Sequence, residues 1–279
     1  MLTERAYAKL NLVLHVGRAR ADRMHELCSL FASLELADDV TGGPTGFGED
    51  SVESPGVAGR NLALDALGAY RARVGGALPP IGLRIGKRIP IAAGLGGGSA
   101  DAAAALRIAN AVAGSPLNAD GLRQLAATLG SDVPSQVEPA HALVQGTGEL
   151  VEPVALPQLA VVLVPAPEGL STAAVYAELD RLGGGRDQLD AEPLRRLSSA
   201  SARELAAAVE NDLMAAALSL RPELAGTLER IRSTGALAAT VGGSGPTCFG
   251  LYETVEEAAE AAASLPGALV TALRAPVGP

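Results

Sequence analysis

Apolar residues alternate from Leu10 to Val16, the period of two that marks a strand with one buried face. Residues 17–26 turn polar and Arg-rich and read as a loop, and 27–40 return to apolar character as a second strand. Glycine and proline crowd 42–59, which predicts hairpins or an irregular connection. The pattern predicts a helix over 60–73, starting near Asn61. Ile81, Leu83 and Ile85 alternate again and predict a strand ending near Pro90. An Ala-rich helix follows over 100–113, stopped by Gly114 and Pro116. Asn118 is a good N-cap for a further helix that stops at Gly130.

Pro153 and Pro157 bracket a boundary, so the chain reads as two domains, 1–152 and 153–279. Beyond the boundary, 159–164 predicts a buried strand, and 172–182 and 193–209 predict helices. The last stretch reads helix (222–233), strand (236–241), Gly-rich turn (242–245), strand (247–252), helix (255–264) and strand (268–273). That order predicts a small α+β sandwich.

Composition bounds the chemistry. Of 279 residues, 48% are hydrophobic and only 3% aromatic, with no Trp. The cores must therefore be built from Ala, Leu, Val and Ile. The net charge of -9 argues against a general nucleic-acid binder, which needs a basic face to displace counterions. It leaves room for an anionic ligand held by backbone N–H groups. Cys28 and Cys248 lie in apolar stretches and read as buried thiols, with one disulfide as the alternative. No apolar run is long enough to span a membrane, and no signal-peptide core precedes Lys9. The expectation is a cytoplasmic protein, a monomer or weak homodimer, with no membrane or nucleic-acid partner.

The most informative segment is Pro90, Ile91, Ala92, Ala93, Gly94, Leu95, Gly96, Gly97, Gly98, Ser99 and Ala100. Glycine is tolerated at this density where backbone must approach something closely or adopt positive φ. The loop runs straight into a strong helix former, so its N–H groups and the helix N-terminus converge on one spot and favour a phosphate. A flexible strand-to-helix turn is the alternative. No Gly-Lys-Ser/Thr follows, so it is not a Walker A loop, and the third glycine falls too early for a dinucleotide fingerprint. Ser99 can cap the helix, donate to a phosphate or help hold Mg2+.

This loop resembles the Pro-x-x-x-Gly-Leu-Gly/Ser-Gly/Ser-Ser signature of the GHMP small-molecule kinases. Ala8-Lys-Leu-Asn-Leu12, Arg20-Ala-Asp-Arg-Met-His-Glu-Leu27, Leu129-Gly-Ser-Asp-Val-Pro134 and Gly242-Gly-Ser-Gly-Pro246 are similar to other segments of that family, in the same order. Together they resemble the branch that phosphorylates a cytidine diphosphate-linked methylerythritol. The resemblance implies ATP and Mg2+ as cofactors, transfer of the γ-phosphoryl group to the substrate's 2-hydroxyl, and a role in non-mevalonate isoprenoid synthesis. It also implies an α+β two-domain GHMP kinase fold: an N-terminal domain like ribosomal protein S5 domain 2 and a ferredoxin-like C-terminal domain.

The resemblance implies roles for single residues. Asp132 is the general base and Lys9 its partner. Taken alone, Asp132 is a turn or cap residue and Lys9 an edge lysine. Asn11, His25, Thr172, Tyr176, Gly243 and Ser244 fall on substrate positions, and Asn61 and Lys87 on positions near the adenosine. The sequence departs from the pattern at Arg23 (usually Gly), Met24 (usually aromatic), Ser135-Gln136 (usually aromatic) and Gly242 (usually Ser or Thr). Met24 would then form one wall of a cytosine sandwich.

Overall fold

A computed structural model describes residues 1–57, 59–75 and 78–275. In chain order the first elements are β1 (Leu2–Ala19), β2 (His25–Pro44), β3 (Ser51–Glu53), α1 (Leu62–Val74), β4 (Ile81–Gly86), α2 (Gly97–Val112), α3 (Ala119–Ala127), β5 (Ala142–Gly146) and β6 (Leu150–Pro153). Next come β7 (Ala160–Val164), α4 (Thr172–Arg181), α5 (Glu192–Arg196), α6 (Ala202–Ala207), β8 (Glu210–Asn211) and α7 (Met214–Leu220). The chain closes with α8 (Glu223–Ser233), β9 (Ala238–Val241), β10 (Cys248–Tyr252), α9 (Val255–Ala263) and β11 (Leu269–Ala272).

These elements form two compact units. The first holds Met1–Ala8, Leu36–Ile91 and Gly96–Pro139, and the second holds Lys9–Glu35, Ala92–Leu95 and Ala140–Pro279. Strands β1 and β2 span 18 and 20 residues, and each runs through both units.

In the first unit, β2 pairs antiparallel with β4 from Asp39↔Gly86 to Pro44↔Ile81, and β3 lies parallel to β4. Ile81, Leu83 and Ile85 are all buried, as their alternation predicts. Asn61 caps α1, its side-chain oxygen accepting from the Ala63 N–H. Helix α2 is apolar on nearly every side, with Ala100, Ala102–Ala105 and Ala109 buried. A helix of this kind must lie inside a core. Its small side chains pack against Ala63, Ala66 and Leu67 of α1. Tyr70 donates from its hydroxyl to Asn110 at 2.8 Å across the two helices, so the one large ring in this core keeps its polar end satisfied.

In the second unit, β1 runs parallel to β8 at Val13↔Glu210, and β2 pairs antiparallel with β5, which pairs with β6. A separate sheet has the order β11-β7-β10-β9, every neighbour antiparallel. Helices α8 and α9 pack on it. The strand order 4-1-3-2 in sequence terms is the ferredoxin-like arrangement that the resemblance implies.

Three local differences have clear causes. Helix α2 starts at Gly97, because Gly96 takes a left-handed φ of 70° as N-cap and lets two glycines enter the first turn. The helix expected over 193–209 breaks into α5, a 3-10 turn at Leu197–Ser199 and α6. Ser201 and Glu204 form a capping box that restarts it. Strands β5, β6 and β8 are short, and periodicity over so few residues gives no signal. Cys28 and Cys248 are free, buried thiols. Among the described residues no helix is long and apolar enough to cross a membrane.

Candidate active site

In the second unit, Lys9 and Asn11 are two apart on β1 and share a face. Lys9 Nζ donates to Asn11 Oδ1 at 2.8 Å, Asn11 Nδ2 donates to Ser29 Oγ at 2.9 Å, and Ser29 Oγ donates to the Val13 carbonyl at 2.6 Å. Lys9, Asn11 and Ser29 are 6%, 3% and 0% exposed, so the network is protected from water. Lys9 Nζ also lies 4.6 Å from the Phe31 ring centre, a cation–π contact strengthened by desolvation. The Lys9 N–H donates to the Leu95 carbonyl at 2.9 Å, which stitches the strand directly to the glycine loop.

The loop meets the Gly-rich turn between β9 and β10 backbone to backbone. A Cβ on Gly94, whose φ is +75°, would sit 2.4 Å from the Gly245 carbonyl oxygen. Only glycine permits that approach. Asn211 fixes the turn from the other side. Its Nδ2 donates to the Val241 and Gly243 carbonyls at 2.7 and 2.8 Å, and its Oδ1 accepts from the Leu213 N–H at 2.9 Å. Ser244 and Thr172 share a hydrogen bond of 3.0 Å between their hydroxyls. Ala92, Gly94, Leu170, Thr172 and Gly245 line a cleft of ≈ 360 Å³ beside them.

His25 and Tyr176 also meet in this unit. Their ring centres are 4.9 Å apart at 47°, and His25 Nε2 is 2.9 Å from Asp180 Oδ1. Met24 is 51% exposed, one residue after Arg23, whose φ is 63°. A left-handed φ is strained for Arg, whereas Gly takes it without strain.

The first unit supplies the other part of the loop. Gly96 caps α2 with no side-chain hydrogen bond, and no acidic residue occupies the first turn. The leading N–H groups of an α-helix have no intrahelical acceptor, so this end is open to an anion. Ala93, Leu95 and Ala100 bury their side chains and can offer a ligand only backbone. Pro90 is half-buried, Ile91, Ala92 and Gly98 are exposed, and Ser99 is the third residue of α2. These features fit a polyphosphate. Among the described residues no group of three or more His, Cys, Asp or Glu side chains is placed to hold a metal ion.

Lys87 is held by two carboxylates, Asp38 and Asp101, at 2.6 and 2.8 Å. Burial pulls its ammonium down, but Asp101 and Asp38 outweigh that and the net shift is upward. Burial raises the Asp101 carboxyl to about 6 against the opposing pull of Lys87, because two carboxylates share one cation. Asn61 lies at the start of α1 as its cap. Asp132 is half-buried in the turn before Pro134, and its carbonyl accepts from Ser135 Oγ at 2.8 Å.

The structure thus brings Lys9 and Asn11 together, His25 and Tyr176, and Thr172 and Ser244. The sequence reading did not single out Ser29, Phe31, Asp38, Asp101, Asp180 or Asn211. Each acts through a partner distant in the chain, and nothing in local sequence marks such a pairing.

The chain matches two family descriptions: GHMP kinases N terminal domain over residues 61–138, and GHMP kinases C terminal over 187–270. It is 43% identical to 4-diphosphocytidyl-2-C-methyl-D-erythritol kinase of Streptomyces coelicolor, over 95% of this chain and 92% of that protein. The kinase of the same name from Nocardia farcinica is also 43% identical, over 99% and 93%. Among solved structures, a 4-(cytidine 5'-diphospho)-2C-methyl-D-erythritol kinase superposes with a TM-score of 0.81 at 34% identity, covering 98% of this chain and 99% of that one. Homoserine kinase from Cytophaga hutchinsonii gives 0.69 at 17% identity, covering 99% and 96%, a likeness of fold alone.

Proposed function

The chain belongs to the GHMP kinases, and we propose that it phosphorylates the 2-hydroxyl of 4-diphosphocytidyl-2-C-methyl-D-erythritol, taking the γ-phosphoryl group from ATP and releasing ADP. This places it in non-mevalonate isoprenoid synthesis in the cytoplasm, acting as a monomer or weak homodimer. The observation that carries the reading is the hydrogen bond from the Lys9 N–H to the Leu95 carbonyl. It ties a buried, hydrogen-bonded ammonium to the backbone of the glycine loop.

Phosphoryl transfer needs a cradle for the phosphates, positive charge for the transition state and a group to take the hydroxyl proton. The loop from Pro90 to Ala100 is the cradle. Its open N–H groups bind phosphate oxygens, and the helix dipole of α2 favours their charge. Lys9 stabilises negative charge near the transferred group. Asp132 accepts the proton of the attacking hydroxyl as the new P–O bond forms. Mg2+ bound with the nucleotide would supply charge neutralisation, and the Ser99 hydroxyl is the side chain at the loop that would help hold it. Asn61 stands near the adenosine.

His25 and Tyr176 form the cytosine subsite, where a flat ring stacks and hydrogen-bonds. Asn11, Thr172, Gly243 and Ser244 bind the rest of the acceptor. In this division, residues 1–152 carry the nucleotide loop and 153–279 much of the acceptor site. The test is ADP release with a panel of alcohols. The cytidyl-linked methylerythritol is expected to be used at least about 10³-fold better, in kcat/KM, than homoserine, mevalonate or the unlinked methylerythritol phosphate. Preference for any of those three, or nucleotide binding without turnover, overturns it.

A further inference from the structure

Asp38, near the middle of β2, is 0% exposed, and its two oxygens serve different partners. Oδ1 accepts the backbone N–H groups of Arg88 at 2.5 Å and Ile89 at 2.8 Å, the two residues that lead into Pro90. Oδ2 accepts from Lys87 Nζ at 2.6 Å. The same ammonium donates at 2.8 Å to Oδ2 of Asp101, on α2. Lys87 Nζ also comes within 3.4 Å of the point where Gly97 would carry a Cβ. One half-buried cation therefore joins the segment entering the glycine loop to the helix leaving it.

The cluster has two carboxylates for one ammonium. Asp101 Oδ1 is buried and has no hydrogen-bond partner among the described residues. Such an oxygen is costly when charged. With both acids ionised the cluster carries one excess negative charge, next to backbone suited to a polyphosphate.

We propose that Asp38 and Asp101 are positioning residues for nucleotide binding, which hold both ends of the glycine loop through Lys87. Lys87 then acts through the loop rather than on the adenosine. The charged groups that meet Asp101 are Lys87, after β4, and Asp38, on β2.

Two variants test this. Asp38→Asn keeps an oxygen for the two N–H groups but turns an NH2 towards the Lys87 ammonium. It is expected to raise the KM for ATP about tenfold or more, with the acceptor KM within about twofold. An unchanged KM for ATP, or equal rises in both, overturns the tie. Asp101→Asn keeps the size of the side chain but removes the carboxylate that ties Lys87 to α2. It is expected to weaken ADP binding about fivefold or more, with the acceptor KM within about twofold. Unchanged ADP affinity overturns the proposal, and decides it even if Asp38→Asn does not fold.

The inference rests on the loop being the nucleotide site, and Gly94→Ala separates the two. If Gly94→Ala leaves ADP affinity unchanged, the loop reading fails and this inference fails with it. If it removes ADP binding while the Asp38 and Asp101 variants behave as wild type, only this inference fails.

Discussion

Lys9 donates to the Asn11 side-chain oxygen, and Asn11 cannot turn its amide over, because its nitrogen is committed to the Ser29 hydroxyl. A flip would set two donors against each other in a buried site and leave Ser29 without its proton donor. The position of the ammonium is thus decided through Asn11 by Ser29. Ser29→Ala is expected to lower kcat by about tenfold and to destabilise by about 1–3 kcal/mol through an unsatisfied buried amide. Ser29→Thr, which keeps the hydroxyl, should retain most activity. Steady-state kinetics and thermal melts of the pair check this.

Asp132→Asn is expected to lower kcat by about 10²–10⁴. The melting temperature should barely move, since the residue is a half-buried turn position. A near-normal kcat would remove Asp132 from the mechanism.

Gly94→Ala puts a methyl group 2.4 Å from the Gly245 carbonyl at a φ of +75°. Backbone must shift to relieve it, at a cost of about 1–3 kcal/mol. The KM for ATP should rise by about tenfold or more, as the amides lose their aim. Isothermal titration with ADP measures it directly.

Tyr176→Leu keeps apolar contact for α4 but removes the ring beside His25. The acceptor KM should rise by about tenfold, the scale of one lost stacking contact, with the KM for ATP unchanged. Equal effects on both substrates would place the defect in folding rather than in the acceptor site.

Glu178 accepts two hydrogen bonds from Arg181 and one from Ser219. The Arg181 hydrogen bonds, then that of Ser219, hold its carboxyl at about 2, below its ordinary 4.5. A depressed carboxyl stabilises the fold above its unfolded value, and that stability is lost as pH falls through the folded one. The gap in melting temperature between wild type and Glu178→Gln should be widest near neutral pH. It should close as pH drops from about 4.5 towards about 2. A gap independent of pH would show that packing, not charge, is at work.

Sequence alone determined what depends on neighbours in the chain. The alternation of Ile81, Leu83 and Ile85 decides a strand face, Asn61 and Asn118 decide helix starts, and the glycine run decides a loop that opens a helix. The four spaced segments decided the family. Tertiary structure decided everything that rests on distance through space. It chose which carboxylates hold Lys87, what orients Lys9, and why Gly94 must lack a side chain. It also divided two long strands between two compact units. Hydrophobic period and capping act over a few residues and leave a local imprint. A hydrogen bond between residues far apart in the chain has no such imprint, because any of several acids or amides would satisfy the same donor.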